Sequence, residues 1–147
     1  MAVKEHQKIL SVTLINLLLP LNKPYRLSYG SLDKLSTYLV QIRMDTGRIL
    51  LGETVPLPGY SAESEEAVRN ALIEGGESIS GKSTDSAIHL LKNLLRENPF
   101  AASALLSALE NQGKGNPGKN ISVPIVGIIE GDAPDEIQNQ INALVKQ

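Results

Sequence analysis

The spacing of apolar residues changes character along this chain. Between Ile9 and Leu19, Leu10, Val12 and Leu14 alternate with Ser11 and Thr13, which predicts a strand with those three apolar residues on one face. Leu17-Leu18-Leu19-Pro20 breaks the alternation and ends the predicted element. Asn22, Pro24, Tyr25, Ser28 and Gly30 then predict a loop stiffened by proline. Alternation resumes from Ser36 to Met44, with Tyr38, Val40, Ile42 and Met44 on one side and Gln41 and Arg43 among those opposite. Asp45-Thr46-Gly47 is hairpin-turn chemistry, because glycine supplies the positive φ such turns need. Arg48 to Val55 predicts a third strand with Ile49 and Leu51 facing the core. Three sequential strands and a tight turn predict an antiparallel meander.

The middle of the chain changes to helical spacing. Pro56-Leu57-Pro58-Gly59-Tyr60 is too rich in proline and glycine to continue a strand and predicts a second rigid loop. Ser61 or Ser64 caps the next helix, and Glu63, Glu65 and Glu66 sit where its dipole favours negative charge, as a solvated helix start. Val68 and Leu72 mark the apolar side, and Gly75-Gly76 is the predicted stop. A second helix begins near Ser83-Thr84-Asp85, with Ile88, Leu91 and Leu95 as its stripe and Leu90 and Leu94 widening it. Asn98-Pro99 gives a cap followed by proline at the first helical position. The helix it opens, Phe100 to Glu110, is dense in alanine and lets neighbouring backbones approach closely. Gly113 to Asn120 reads as a linker, Ile121 to Ile129 as a strand buried on both faces, and Pro134 to Lys146 as an amphipathic helix carried by Ile137, Ile141 and Leu144. The elements therefore read as α+β: a three-stranded antiparallel meander, a helical bundle, and one further strand-helix unit. The predicted division is a domain over residues 1–112, a linker over 113–120 and the strand-helix unit over 121–147.

Composition narrows the chemistry. At 147 residues the chain suits one ordinary domain, or a domain and a fragment of another, and is too short for a complete barrel of about 250 residues. Fourteen basic residues against 16 acidic, a net charge of -2, lack the basic footprint of a nucleic-acid binder. The absence of cysteine excludes disulfides, thiolate metal sites and cysteine nucleophiles. No apolar run approaches the roughly 20 residues that span a bilayer. Lys4, Glu5, His6 and Lys8 precede any apolar run with no cleavage pattern after them, so the expectation is a cytoplasmic protein without a signal peptide. His6 and His89 lack ligand spacing, and no metal site is expected in this chain.

Gly76-Glu77-Ser78-Ile79-Ser80-Gly81-Lys82-Ser83 matches the phosphate-loop pattern G-x-x-x-x-G-K-[ST]. Its chemistry would be backbone N–H groups cradling phosphates, with Lys82 on the terminal ones and Ser83 on a magnesium ion. That motif needs a buried strand directly before it, whereas Glu65 to Glu74 has helical spacing, and Glu77 would set a carboxylate against phosphate charge. Context therefore favours an interhelical loop over a nucleotide site.

Three segments together resemble the N-terminal part of the enolase superfamily, in its muconate-lactonizing-enzyme and mandelate-racemase branch. NKPYRLSYGSL resembles the family's lid loop after the first strand. IRMDTGRILLGETVPLPGYSAES resembles its hairpin, Gly-Glu step and second lid loop. NPFAASALLSALEN followed by ISVPIVGIIEGDAPDEI resembles the last capping helix and the lead into the barrel. Order and spacing agree over roughly residues 8–146. The resemblance implies a capping domain closing over a modified (β/α)8 barrel, where a proton next to a carboxylate is abstracted and the enolate is held by Mg²⁺. It also implies that the strand-helix unit over 121–147 is one unit of an incomplete (β/α) barrel, and that the base and the acidic metal ligands sit on later barrel strands, which this chain does not contain. The expectation is a shortened form of such an enzyme, silent alone, with no cofactor of its own and magnesium belonging to the intact enzyme.

The same resemblance assigns the candidate site. Tyr25 and Arg26 on the first lid loop and Leu57 and Tyr60 on the second would line a substrate pocket, Arg26 pairing with a carboxylate. Each has a plainer reading as a packed or exposed loop residue. Glu53 would hold the lid–barrel interface through hydrogen bonds rather than act as a base. Glu130 and Asp132 lie where barrel sites form, though Asp132 reads as a helix cap. Dipeptide epimerases and succinylbenzoate synthases share this branch, the former favoured here. The small carboxylate substrate would bind only with the barrel, and the exposed 121–129 strand would drive self-association. Two other functions remain open at this point: a free-standing interaction module with the lid fold, and a nucleotide binder using Lys82 and Ser83.

Overall fold

A computed structural model describes residues 7–27, 30–57, 59–60, 62–110, 129 and 133–145. In it β1 (Ile9–Leu27), β2 (Gly30–Met44) and β3 (Ile49–Thr54) form one antiparallel sheet in the order β1-β2-β3, followed by α1 (Glu65–Ile79), α2 (Thr84–Leu94), α3 (Pro99–Glu110) and α4 (Pro134–Val145). This is the α+β meander followed by helices that the alternation and capping residues predict. The chain divides into two compact units, Met1–Lys114 and Gly115–Gln147. The apolar run 121–128, the acids Glu130 and Asp132, and also His6, Pro58 and Ser61 lie outside the described residues. Among the described residues, no helix is long and apolar enough to cross a membrane.

The first correction concerns β1. It does not end at Pro20 but runs on to Leu27, paired with β2 as far as Leu27 opposite Gly30. Between Pro20, opposite Lys34, and Tyr25, opposite Leu32, β1 spends four residues against a single residue of β2. This wide bulge absorbs the prolines: proline lacks an N–H to donate, and an edge strand with a bulge is where a sheet tolerates that loss. The predicted first loop is thus a two-stranded ribbon.

A second irregularity, between Ile9 (opposite Met44) and Ser11 (opposite Arg43), leaves Leu10 as the extra residue. Alternation restarts after it, so Ile9 is fully buried, Val12 and Leu14 pack against the core, and Leu10 turns outward at 55% exposure. Leu10 therefore does not share the face of Val12 and Leu14.

The third strand is also turned over relative to its prediction. Register sets Leu50, Gly52 and Thr54 opposite Ile42, Val40 and Tyr38, and these six residues face inward. Ile49 and Leu51 are 56% and 63% exposed. Side chains alternate with a period of two, so a single step of register exchanges both faces. Packing on the helices chooses the step. A Cβ on Gly52 would lie 1.9 Å from the Ala104 carbonyl oxygen, so only glycine lets β3 lie against α3. The alanines of α3 supply the other half of that approach, with Ala101, Ala102, Ala104 and Ala108 all fully buried.

Helix α1 starts where Ser64 caps it, its hydroxyl accepting the Ala67 N–H at 3.1 Å. It does not stop at Gly75-Gly76. Both glycines are buried inside the helix, Gly75 beneath Leu105 and Gly76 beneath Val12, so their small size serves packing rather than termination. Helix α2 is capped by Ser83 and buries Ala87 and Leu91, with Ile88 and Leu94 half-buried beside them. Leu90 and Leu95, which periodicity assigns to its stripe, are largely exposed. The three helices pack on one another, α3 lies on β2 and β3, and α1 lies on β1. Within this core each buried Leu or Ile contributes about 1.5–3 kcal/mol. Helix α4 is amphipathic in sequence, and none of its residues is buried.

Candidate functional site

The register of the sheet determines where the candidate segments emerge. The last residue of β3, Thr54, pairs with Tyr38, whereas β1 and β2 stay paired beyond that point. The sheet is three-stranded up to Tyr38 and becomes a two-stranded arm past it. Segment 55–64 leaves β3 at the end from which the arm projects. Topology thus brings the two segments carrying the candidate residues to the same end of the sheet.

In the arm, Tyr25 pairs with Leu32 and Arg26 with Ser31. Successive strand residues point to opposite faces, so Tyr25, 40% exposed, and Arg26 present themselves on opposite sides of the ribbon. In the second segment the Tyr60 N–H donates to the Leu57 carbonyl at 3.1 Å, and Gly59 sits at φ +86°. That conformation at the third position of a tight turn is open to glycine and strained for other residues. The turn leaves Leu57 half-buried and holds Tyr60 in solvent at 76% exposure.

Glu53 lies on the outer face of β3, opposite Leu39. Its Oε1 accepts the Thr37 hydroxyl at 2.9 Å, and the same hydroxyl lies 3.2 Å from the Thr54 carbonyl. On the inner side, Asn16, Ser36, Tyr38 and Glu65 form a polar cluster. The Asn16 amide donates to Ser36 Oγ at 3.4 Å, and Ser36 Oγ donates to Glu65 Oε1 at 2.5 Å. The Tyr38 hydroxyl reaches the same carboxylate oxygen at 3.4 Å. Burial raises the Tyr38 pKa above its ordinary value of 10.0, and the neighbouring Glu65 charge adds to the rise, while the Asn16 hydrogen bond and the Arg69 charge oppose it.

The glycine–lysine–serine segment makes no phosphate cradle. Gly76 is in a helix, no strand leads into the motif, and the backbone donors are already engaged. Gly81 N–H donates to Ile9 O at 2.8 Å, Lys82 N–H to Ile79 O at 3.1 Å and Thr84 N–H to Gln7 O at 3.1 Å. The segment serves as a clip on the start of β1, which overturns the nucleotide reading. His89 is exposed on α2. Among the described residues, no group of three or more His, Asp or Glu side chains is placed to hold a metal ion. These residues therefore do not fit a magnesium site.

Comparison with solved structures decides the fold family. A protein assigned as a mandelate racemase/muconate lactonizing enzyme from Roseovarius nubinhibens superposes with a TM-score of 0.79 at 26% identity, over 95% of this chain and 42% of that one. This is the enolase-superfamily capping fold. A dipeptide epimerase from Methylococcus capsulatus, complexed with Mg and the dipeptide L-Arg-D-Lys, shares the fold at TM-score 0.59 and 29% identity, over 69% of this chain and 30% of that one. The N-succinyl Arg/Lys racemase from Bacillus cereus matches at TM-score 0.61 and 26% identity, over 69% and 29% of the two chains. This chain thus spans less than half the length of the structures it matches. No family profile and no curated protein matches it.

Within the capping fold, the residues that sequence reasoning missed are Asn16, Ser36, Tyr38 and Glu65. Glu65 has the signature of a solvated carboxylate at a helix start, yet it is half-buried and accepts hydrogen bonds from β2. Glu63 likewise accepts the Phe100 N–H at 3.2 Å, tying the end of segment 55–64 to the start of α3. The signal that could have found Glu65 is the pair Ser36 and Tyr38, two polar groups on the inward parity of an otherwise apolar strand.

Proposed function

We propose that this chain is the capping and specificity portion of an enolase-type enzyme that removes a proton next to a carboxylate, within the branch that includes dipeptide epimerases. The observation that carries this reading is the shared origin of the two candidate segments at one end of the sheet, in a fold that superposes on the Roseovarius protein over 95% of this chain. In this reading the arm and segment 55–64 form the rim over a substrate pocket. Arg26 meets a substrate carboxylate from one face of the arm, and Tyr25 closes the rim from the other. Leu57 and Tyr60 give the second side an apolar edge, and Glu53 braces it. A small carboxylate such as a dipeptide binds only when a barrel completes the pocket. Magnesium, present in the Methylococcus complex, would come with the barrel, since no group of described residues in this chain is placed to hold it. In this reading the enzyme works in the cytoplasm.

Two further points belong to the proposal. The chain alone is catalytically silent, and the apolar run Ile121–Ile129 packs against another polypeptide, a second copy when nothing else is offered. One experiment tests the central reading. The chain is mixed with the barrel portion of the Roseovarius protein, and deuterium incorporation at the α-carbon of a dipeptide panel is followed. Exchange by the mixture and not by either part supports the assignment. Exchange by this chain alone overturns it.

A further inference from the structure

The polar cluster on β2 connects two segments that have no sequence neighbourhood. Glu65 is the first residue of α1 and follows segment 55–64 directly. Its carboxylate accepts Ser36 Oγ at 2.5 Å and Tyr38 Oη at 3.4 Å, both on β2 at the point where the third strand ends and the arm begins. Asn16 on β1 completes the chain through Ser36, so both strands of the arm are joined to the same carboxylate. The near end of segment 55–64 is fastened as well, because Thr37 donates to Glu53 Oε1 at 2.9 Å and lies within 3.2 Å of the Thr54 carbonyl. Tyr38 and Thr37 are adjacent residues of one strand and point to opposite faces, so the root of the arm is gripped on both sides of the sheet.

We infer that Glu65 is a clasp that couples the arm, residues 17–35, to segment 55–64, so that the two open and close as one body. The physical basis is the strength of hydrogen bonds to an ionised acceptor, roughly twice that of neutral ones, acting where the sheet has lost its third strand. Among the described residues no other strand pairs with the arm past Tyr38, and an isolated two-stranded ribbon is marginal in water. The Glu65 carboxylate at that root, an acceptor shared by the arm's root and the start of α1, therefore contributes to the opening free energy of both segments. The coupling is a property of this chain by itself and does not depend on the enzymatic reading.

Amide hydrogen exchange on the full chain, read by mass spectrometry, tests the clasp. Glu65→Gln and Ser36→Ala are each expected to speed exchange about tenfold at protected amides of both the arm and segment 55–64, with the amides of β3 and α3 unchanged. The double variant is expected to exchange no faster than the Glu65→Gln chain, since both remove the same link. Glu66→Gln, which removes the same charge from the same helical turn at an exposed position, serves as control and leaves both segments at their original rates. Faster exchange in only one segment, in neither, or in the Glu66→Gln chain as much as in the Glu65→Gln chain overturns the inference. Because no barrel, substrate or metal is in the tube, the result stands or falls separately from the proposed activity.

Discussion

The two halves of the β1–β2 hairpin are built from the same pair of strands and behave as different materials. In the root, Val12 and Leu14 of β1 and Val40, Ile42 and Met44 of β2 pack against α1 and α3, and β3 closes the far edge. In the arm no third strand is present among the described residues, Leu18 and Leu19 are 57% and 45% exposed, and a bulge that follows Pro20 and includes Pro24 interrupts the pairing. Backbone pairing alone does not make a strand part of a core. What separates root from arm is how many surfaces the ribbon can be pressed against.

Breaking the root should therefore have the largest effect. Gly52→Val puts a side chain where the Ala104 carbonyl already stands, 1.9 Å from the new Cβ. Neither backbone can yield without separating β3 from α3, and the loss should exceed about 3 kcal/mol. Urea unfolding followed by circular dichroism checks this, and a midpoint close to that of the unaltered chain would show that the sheet has another way to seat on the helices. A smaller effect is expected at the start of α1. Ser64→Ala removes the acceptor of the Ala67 N–H and should cost about 1 kcal/mol, read in the same titration.

These two sites also show what could be read from the chain. Ser64 was legible as one of two candidate caps, and the Asp45–Gly47 turn and the Asn98-Pro99 helix start were legible outright, because each depends on neighbours a few residues away. The turn is closed by the Gly47 N–H on Met44 O at 3.0 Å, with Gly47 at φ +81°, as the Asp-Thr-Gly string implies. The orientation of β3 was not legible. Ile49-Leu50-Leu51 is apolar at both parities, and the choice is made by the approach of α3 at Gly52, more than fifty residues before Ala104 in the chain. The arm was misread for a related reason: proline argues against a strand in general, and only the bulge and edge position remove the objection. In the candidate site, the motif strings nominate Tyr25, Arg26, Leu57 and Tyr60, but Glu65 escaped because a local rule already accounted for a carboxylate at a helix start. Its partners lie 29 and 27 residues earlier.

Tyr38 stands at the junction of the two halves and gives a pH-dependent means of separating them. Burial first, and then the Glu65 charge, hold its folded pKa above the unfolded value of 10.0, with Asn16 and Arg69 acting in the other direction. The folded state therefore binds the phenolic proton more tightly than the unfolded chain does. The stability linked to this group is fully present below pH 10.0 and is lost as pH rises through the raised folded value. Unfolding midpoints measured from neutral pH upward should fall in the alkaline range, and Tyr38→Phe should flatten that decline. An identical alkaline slope in the Phe variant would place the responsible group elsewhere.

The smallest effect on stability is expected in the arm, where it is most informative about function. Leu18 and Leu19 are adjacent, so they point to opposite faces of the ribbon, and both are largely exposed. Replacing either by serine removes apolar surface of which this chain covers only about half, so the unfolding free energy should move by no more than about 1 kcal/mol. A core residue of the same type behaves otherwise: Leu105 is fully buried on α3, and Leu105→Ala should cost about 2–5 kcal/mol. If the arm is a rim over a pocket, Leu18→Ser or Leu19→Ser should change the KM of the reconstituted enzyme while leaving the midpoint of the chain in place. A midpoint shift approaching that of the Leu105 variant would mean that the arm is pressed against something in this chain after all. The division between root and arm would then be one of strand number alone, and the exposed leucines would no longer mark a surface kept open for a ligand.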